Sequence, residues 1–268
     1  MTRPRIVLSI PICLLFAVAL LGQYNYFPDQ PQVYYEGNYN DITRIVQDSG
    51  RTDQFVFARL VYNGLIPHYI KNWYTDWPKS DRQLIMGIQR LSNVSIAEHE
   101  RVVPLNDPDL FQYPFLYTSE PGQMVLSDAD AAIMREYLGR GGFWVLDDFW
   151  GSFEWGNVEA QIEKILPGAE IRDIPGEHPI FHTVYDIDAL VQVPSLNYIF
   201  DETVVEQDGF EAYCKGIWDD KDRLMVVINH NTDLGDAYEH ADHPQYPHYF
   251  SGFAYRLAIN IVVYALTH

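Results

Sequence analysis

The stretch that most constrains this chain is residues 139–150, GRGGFWVLDDFW: a glycine-rich turn runs into an apolar strand, and the strand ends on two adjacent carboxylates, Asp147 and Asp148. Glycines release a helix and let a strand start at once. In open α/β sheets the ligand chemistry gathers outside the carboxyl ends of the parallel strands, so this pair predicts where a site lies.

The flanking sequence predicts strands alternating with helices. Residues 55–62 (FVFARLVY), 115–118 and 143–146 read as strands by their aromatic and β-branched content. Residues 80–93 read as a helix, with Ser80 and Gln83 in capping-box spacing and Leu84, Ile85, Ile88 and Leu91 on one stripe. A second helix, 127–138, has Ser127 and Asp130 as its capping box and Gly139 at the left-handed C-terminal position. A third, 158–166, stops at Pro167-Gly168, and Ile171 opens another short strand. Strands 213–218 and 224–229 are joined by the charged turn 219–222, and LMVVIN is apolar throughout, as a strand covered on both faces must be. The last helix, 250–266, is apolar nearly all round, but Arg256 and Asn260 sit near its centre, so it reads as a core helix rather than a membrane span. The predicted fold is α/β, a mostly parallel sheet with helices on both faces.

Such a sheet brings its strand ends to one edge. Tyr62 and Asn63 leave the first strand, Thr118, Ser119 and Glu120 the second, Asp147 and Asp148 the third, and His230, Asn231, Thr232 and Asp233 the strand ending at Asn229. Asp236, Glu239, His240, Asp242, His243 and His248 extend that last loop, while Arg256 and Asn260 share a helix face aimed at the same region or else form a buried pair that orders the core. Asp147 and Asp148 either cap a turn or, as two carboxylates in one cleft, bind a cation or shift one another's pKa for acid and base work. The histidine-rich loop is either solvated or metal-binding. Asp148, His178, His230 and Asp236 are the residues that would suit a divalent metal ion, the one cofactor the sequence raises. Three common motifs are missing. Leu234 and His240 stand where an EF-hand needs glycine and glutamate. There is no HExxH zinc pair and no GxSxG serine elbow.

Residues 1–22 set the expected compartment. Arg3 and Arg5 precede an apolar run over 6–21, interrupted only by Ser9 and Pro11, which falls short of the about 20 residues a bilayer-spanning helix needs. It reads as an export leader, either cleaved or kept as a membrane anchor. Residues 23–53 form an extended lead-in, and 54–268 a single domain. Beyond the leader only Cys214 remains, so no intramolecular disulfide is expected. The formal charge of −19 repels nucleic acid and anionic lipid headgroups. Partners should be neutral, cationic or metal-bridged.

The segments FVFARLVYNG, TDWPKSD, YPFLYTSEPG, LGRGGFWVLDDFWG, GEHPIF, NTDLGDAY and RLAINIVVYAL, in this order, resemble a bacterial domain-of-unknown-function family, the one numbered 4159. That family is similar in turn to the class I glutamine amidotransferase-like fold, a flavodoxin-like sheet in which a helix, a glycine pair and a strand lead to a nucleophile elbow. MREYLGRGGFWVLDD matches that run, and His178-Pro179-Ile180 resembles an HPI element of those relatives. The resemblance implies the fold, the site edge and a frequent attachment to the cell envelope. Asp147 stands where an amidotransferase has its cysteine, and Cys214 is on another strand, so glutamine hydrolysis is excluded.

Two functional classes follow. One is an exported, periplasmic or membrane-anchored envelope domain, non-catalytic or degenerate, that binds a neutral polar ligand such as a carbohydrate, or an envelope protein. Its ligand contacts would be Tyr62, Asn63, Glu120, Asn231, Asp233, Asp236, Arg256 and Asn260. The 19 tyrosines and 6 tryptophans offer stacking surfaces for it. The other is a metal-dependent hydrolase in which Asp147, Asp148 and His178 carry catalysis.

Overall fold

A computed structural model describes residues 53–66 and 72–268, all of them in the compact unit Tyr39–His268. The predicted leader and nearly all of the lead-in lie outside the described residues. The chain forms β1 (Ala58–Val61), β2 (Asn63–Gly64), helix α1 (Lys79–Leu91), β3 (Arg101–Pro104), β4 (Phe115–Ser119), β5 (Met124–Val125), α2 (Asp128–Gly139) and β6 (Phe143–Asp147). Then follow α3 (Gly151–Ile165), β7 (Arg172–Asp173), the short α4 (Tyr198–Asp201), β8 (Tyr213–Trp218), β9 (Leu224–His230), α5 (Leu234–Glu239) and α6 (His248–Thr267).

Seven strands make one sheet in the order β3-β1-β4-β6-β9-β8-β7, and β2 pairs with β5 in a small separate ribbon. The pairs β3/β1, β1/β4, β4/β6 and β6/β9 are parallel, whereas β9/β8 and β8/β7 are antiparallel. The mostly parallel α/β reading holds, with an antiparallel margin set by the 219–222 hairpin.

Period-two alternation sorts the strand side chains into two cores. Phe57, Phe115, Tyr117, Phe143, Val145 and Val227 face one side, with residues of α1, α5 and α6. Leu60, Leu116, Trp144, Leu146, Val226 and Ile228 face the other, with α2 and α3. Both faces of β9 are covered, so all seven of its residues are buried. The helix α6 is long and apolar enough to cross a bilayer by length and composition, yet Phe253, Leu257, Ile261 and Val262 lie in the first of these cores.

Several boundaries differ from the sequence expectation, each for a tertiary reason. The expected capping box on α1 is not formed: the Ser80 hydroxyl accepts from Arg59 instead, and no side chain caps the helix. The box of Ser127 and Asp130 on α2 is formed. Gly139 is the last residue of α2, and the left-handed position falls on Gly141, φ +104°. The third helix starts at Gly151, seven residues early, because its first turn is capped from afar: the Gly151 N–H donates to Asn231 Oδ1 (2.9 Å) and Ser152 N–H to Asp208 (2.8 Å). The strand expected around Ile171 is only Arg172–Asp173, and β3 and α5 had no counterpart in the expectation.

Candidate functional site

Asp147 closes β6 on the face of α1, α5 and α6 and is fully buried. It accepts from Tyr117 Oη (2.8 Å) on β4, from Asn229 Nδ2 (3.2 Å) on β9, and from the backbone N–H groups of Leu234 and Gly235 at the start of α5. Burial pushes its carboxyl up to about 7 although these donors pull it down. With its oxygens so engaged, Asp147 ties the loop after β9 to the sheet.

Asp148 is the next residue, but its backbone turns left-handed, φ +61°. That turn carries its carboxylate to Asp76 and Asp233, and one oxygen from each of the three lies within 4.8 Å of the others. Asp76 arrives from the loop before α1, which Arg59 holds: its guanidinium donates to Trp73 O (2.9 Å), Thr75 O (3.1 Å) and Asp81 (2.9 Å). Asp233 caps α5, its Oδ1 accepting from Asp236 N–H (2.7 Å).

Asp76 Oδ2 is buried without a hydrogen-bond partner. Burial, then repulsion from Asp236 and Asp148, drives the Asp76 carboxyl well above its ordinary range. Asp233 is raised in the same way by burial, Asp148, Asp236 and Asp76. Arg59, whose charge opposes the rise at Asp76, is already committed to Asp81. A β-carbon at Gly235 would overlap Asp76 Oδ2 and touch Asp233 Oδ1, so only glycine leaves the space between these acids open. Four non-glycine residues around this edge have left-handed backbones, Asp76, Glu120, Asp148 and Asn231. Such positions cost about 1 kcal/mol or more each and persist where surrounding structure enforces them.

Beside the triad, His240 Nε2 lies 3.3 Å from Asp236 and 3.4 Å from Glu239. Burial works against the imidazolium, but these two carboxylates lift its pKa to about 9. Burial likewise works against the Asp236 carboxylate, and the His240 hydrogen bond and charge hold its pKa below the ordinary value. Among the described residues these are the two groupings of acids and histidines close enough to share an ion.

The remaining expected site residues fall into three places. Tyr62 stays at the edge, where its hydroxyl donates to Glu120 O (2.7 Å) and Ser119 O (3.0 Å) and so clamps the left-handed turn at Glu120. Asn63 is exposed in the small ribbon. Asn231 is spent on backbone, accepting from Gly151 and donating to Glu211 O (2.7 Å). His230 packs against Phe149, Trp155 and Tyr213, and burial lowers its pKa to about 4. It faces the side of α3, away from the triad.

The other three are remote. His178 caps a short 3-10 turn and packs on Tyr264, which in turn packs on Phe143 at the start of β6. The length of β6, about 13 Å at 3.3 Å per residue, separates His178 from Asp148, so one ion cannot touch both. Asn260 is buried and bonds the backbone of Val184 and Tyr185 (3.0 and 2.9 Å), whereas Arg256 is exposed and donates to Gly252 O within its own helix. The shared face expected for Arg256 and Asn260 does not reach the edge. Cys214 is a buried free thiol, pushed up to about 12 by burial.

The residue that sequence reasoning missed is Asp76, because a loop ahead of a helix carries no strand-end signal. The segment TDWPKSD contained it, with Pro78 marking the loop's end. The capping spacing of Asp233 and Asp236 was a legible signal for α5. No curated protein matches the chain. A family described as domain of unknown function (DUF4159) matches residues 56–266, and this protein belongs to that family.

Proposed function

We propose that the protein is an exported domain of the cell envelope that binds an oxygen-rich, neutral polar ligand or an envelope protein through a hard divalent cation held by Asp76, Asp148 and Asp233. The observation that carries this reading is the convergence within 4.8 Å of three carboxylates, those of the buried Asp148 and Asp233 and of the half-buried Asp76, whose Oδ2 is itself buried without a hydrogen-bond partner. Two oxygens bound to one ion stand at most twice the metal–oxygen distance apart, about 4.8 Å for calcium and about 4.1 Å for magnesium. Oxygens within 4.8 Å of one another can meet on a single ion of this kind. Three carboxylates leave further calcium positions for water or ligand oxygens, which lets so acidic a surface take up a polar molecule. Binding is preferred to hydrolysis because Asp147 is consumed in structural hydrogen bonds and His178 is remote, which leaves no general base from the expected set.

Two finer readings go with this. The apolar run after Arg3 and Arg5 supports a periplasmic or membrane-attached location. The sheet is of the flavodoxin-like, class I glutamine amidotransferase-like kind. The parallel run β3-β1-β4-β6-β9 supports the second, since it repeats the flavodoxin order 2-1-3-4-5, whose ligands sit at the carboxyl edge.

Titration calorimetry with calcium and with magnesium tests the proposal on chelator-stripped protein. One divalent-cation site per chain is expected, lost in Asp148→Asn and in Asp233→Asn. Unchanged heats in both variants would refute it.

A further inference from the structure

A second surface, on the α3 side of the sheet and independent of the acidic triad, also has the form of a binding site. The helix α3 shares a core with β6, β9 and Ile217 of β8, while Tyr213 and Lys215 of β8 stay half-buried. The resulting groove has a volume of about 440 Å³ and is lined by Trp155, Glu159 and Glu163 of α3, by Ala169 and Ile171 of the segment leading to β7, and by Lys215 of β8. Ala160 and Ala169 keep it concave, because neither side chain fills the gap between helix and sheet margin.

The wall of this groove is a rigid aromatic stack. The ring of Trp155 packs on His230 (centroids 4.8 Å apart) and, at 10° interplanar angle, on Phe149, both buried. Tyr213 adds a further ring against His230 (6.1 Å, 22°). Lys215 Nζ lies 4.7 Å from the Tyr213 ring and 5.8 Å from that of Trp155, and its charge is neutralised by Asp173 (2.5 Å). His230 is uncharged at neutral pH, so it supports the indole as a neutral platform.

We propose that this groove binds a segment of neutral carbohydrate. A hydroxylated sugar ring presents an apolar C–H face and a polar rim. The half-buried indole, held from beneath, offers a flat partner to the first, and the Glu159 and Glu163 carboxylates with Lys215 offer acceptors and a donor to the second. The volume lies within the range of small-molecule sites. Two carboxylates beside a lysine already neutralised by Asp173 disfavour an anionic ligand.

The test is saturation-transfer NMR and calorimetry on the full chain, with cellotetraose, maltotetraose and tetra-N-acetylchitotetraose as probes and with chelator present throughout. At least one probe should bind, about tenfold or more weaker in Trp155→Ala, with Trp155→Phe retaining part of the affinity. Ala160→Trp, on the exposed face of α3, fills the groove without entering the core and should abolish binding. Binding with chelator present separates this groove from the cation site. Failure of all three probes to bind, or undiminished binding in Ala160→Trp, overturns the proposal.

Discussion

Two sets of buried acids lie within one short loop of each other, and their surroundings differ in kind. Asp81 is matched by Arg59: the guanidinium spends its donors on that carboxylate, on Ser80 and on two loop carbonyls, and stands 5.0 Å from the Tyr117 ring centre. Asp76, Asp148 and Asp233 instead meet one another, like charge against like charge, around space kept open by Gly235. A buried charge with its counter-charge in place is complete as it folds. A cluster of like charges requires protons or a metal ion, and the protein tolerates left-handed backbone at Asp76 and Asp148 to assemble it.

The contrast is broken most directly at Arg59. In Arg59→Met, Asp81 is left buried and uncompensated and the Asp76 loop loses its anchor. We expect a loss of about 3–5 kcal/mol in urea unfolding. The triad should respond with the opposite sign. In Asp233→Asn the cap on α5 is kept, since asparagine also caps, while one repelling charge is removed. Chelated protein should gain about 1 kcal/mol and lose calcium binding. A destabilised Asp233→Asn would mean that the carboxylates are satisfied without an ion.

The pH dependence sharpens the same comparison. Asp147, raised to about 7, and the raised Asp76 and Asp233 favour the fold below their unfolded value of 3.8 and lose that contribution as pH rises through their folded values. His240 acts with the same sign between 6.5 and about 9. Asp236, lowered, acts oppositely and limits stability in acid, below 3.8. The melting temperature of chelated protein should therefore climb as pH falls from 8 toward 6.5, below which the buried His230, lowered to about 4, opposes the rise, and calcium should flatten that slope. The smallest effect expected is that of Gly235→Ala, which crowds the carboxylates: calcium affinity down about tenfold and stability changed by less than about 1 kcal/mol. Calorimetry and melting curves on one preparation read both.

How far the site was legible depends on how each acid is placed. Asp148 and Asp233 follow strands whose apolar content declares them, so strand-end reasoning found both. Asp76 lies in a loop positioned by Arg59, and a buried arginine twenty-two residues from its partner leaves no local pattern. The short strand RVVP ends on proline at the sheet's edge and carries too few residues for alternation to show. The early start of α3 depends on Asn231 and Asp208, distant in sequence, so no signal at residues 151–157 could disclose it. His178 was grouped with the site by chemistry and Asn260 by its helix face, and topology separated them.

The hydrogen bond from Asn229 to Asp147 spans 82 positions, against 22 for Arg59 and Asp81. Local contacts tend to close earlier in folding than distant ones, so we expect the arginine knot to form before β6, β9 and α5 converge. The three acids of the triad come from parts of the chain that meet only in that last step. A chain that crosses a membrane unfolded carries them apart, and it would draw its ion from the compartment in which it completes its fold rather than from the one in which it was made.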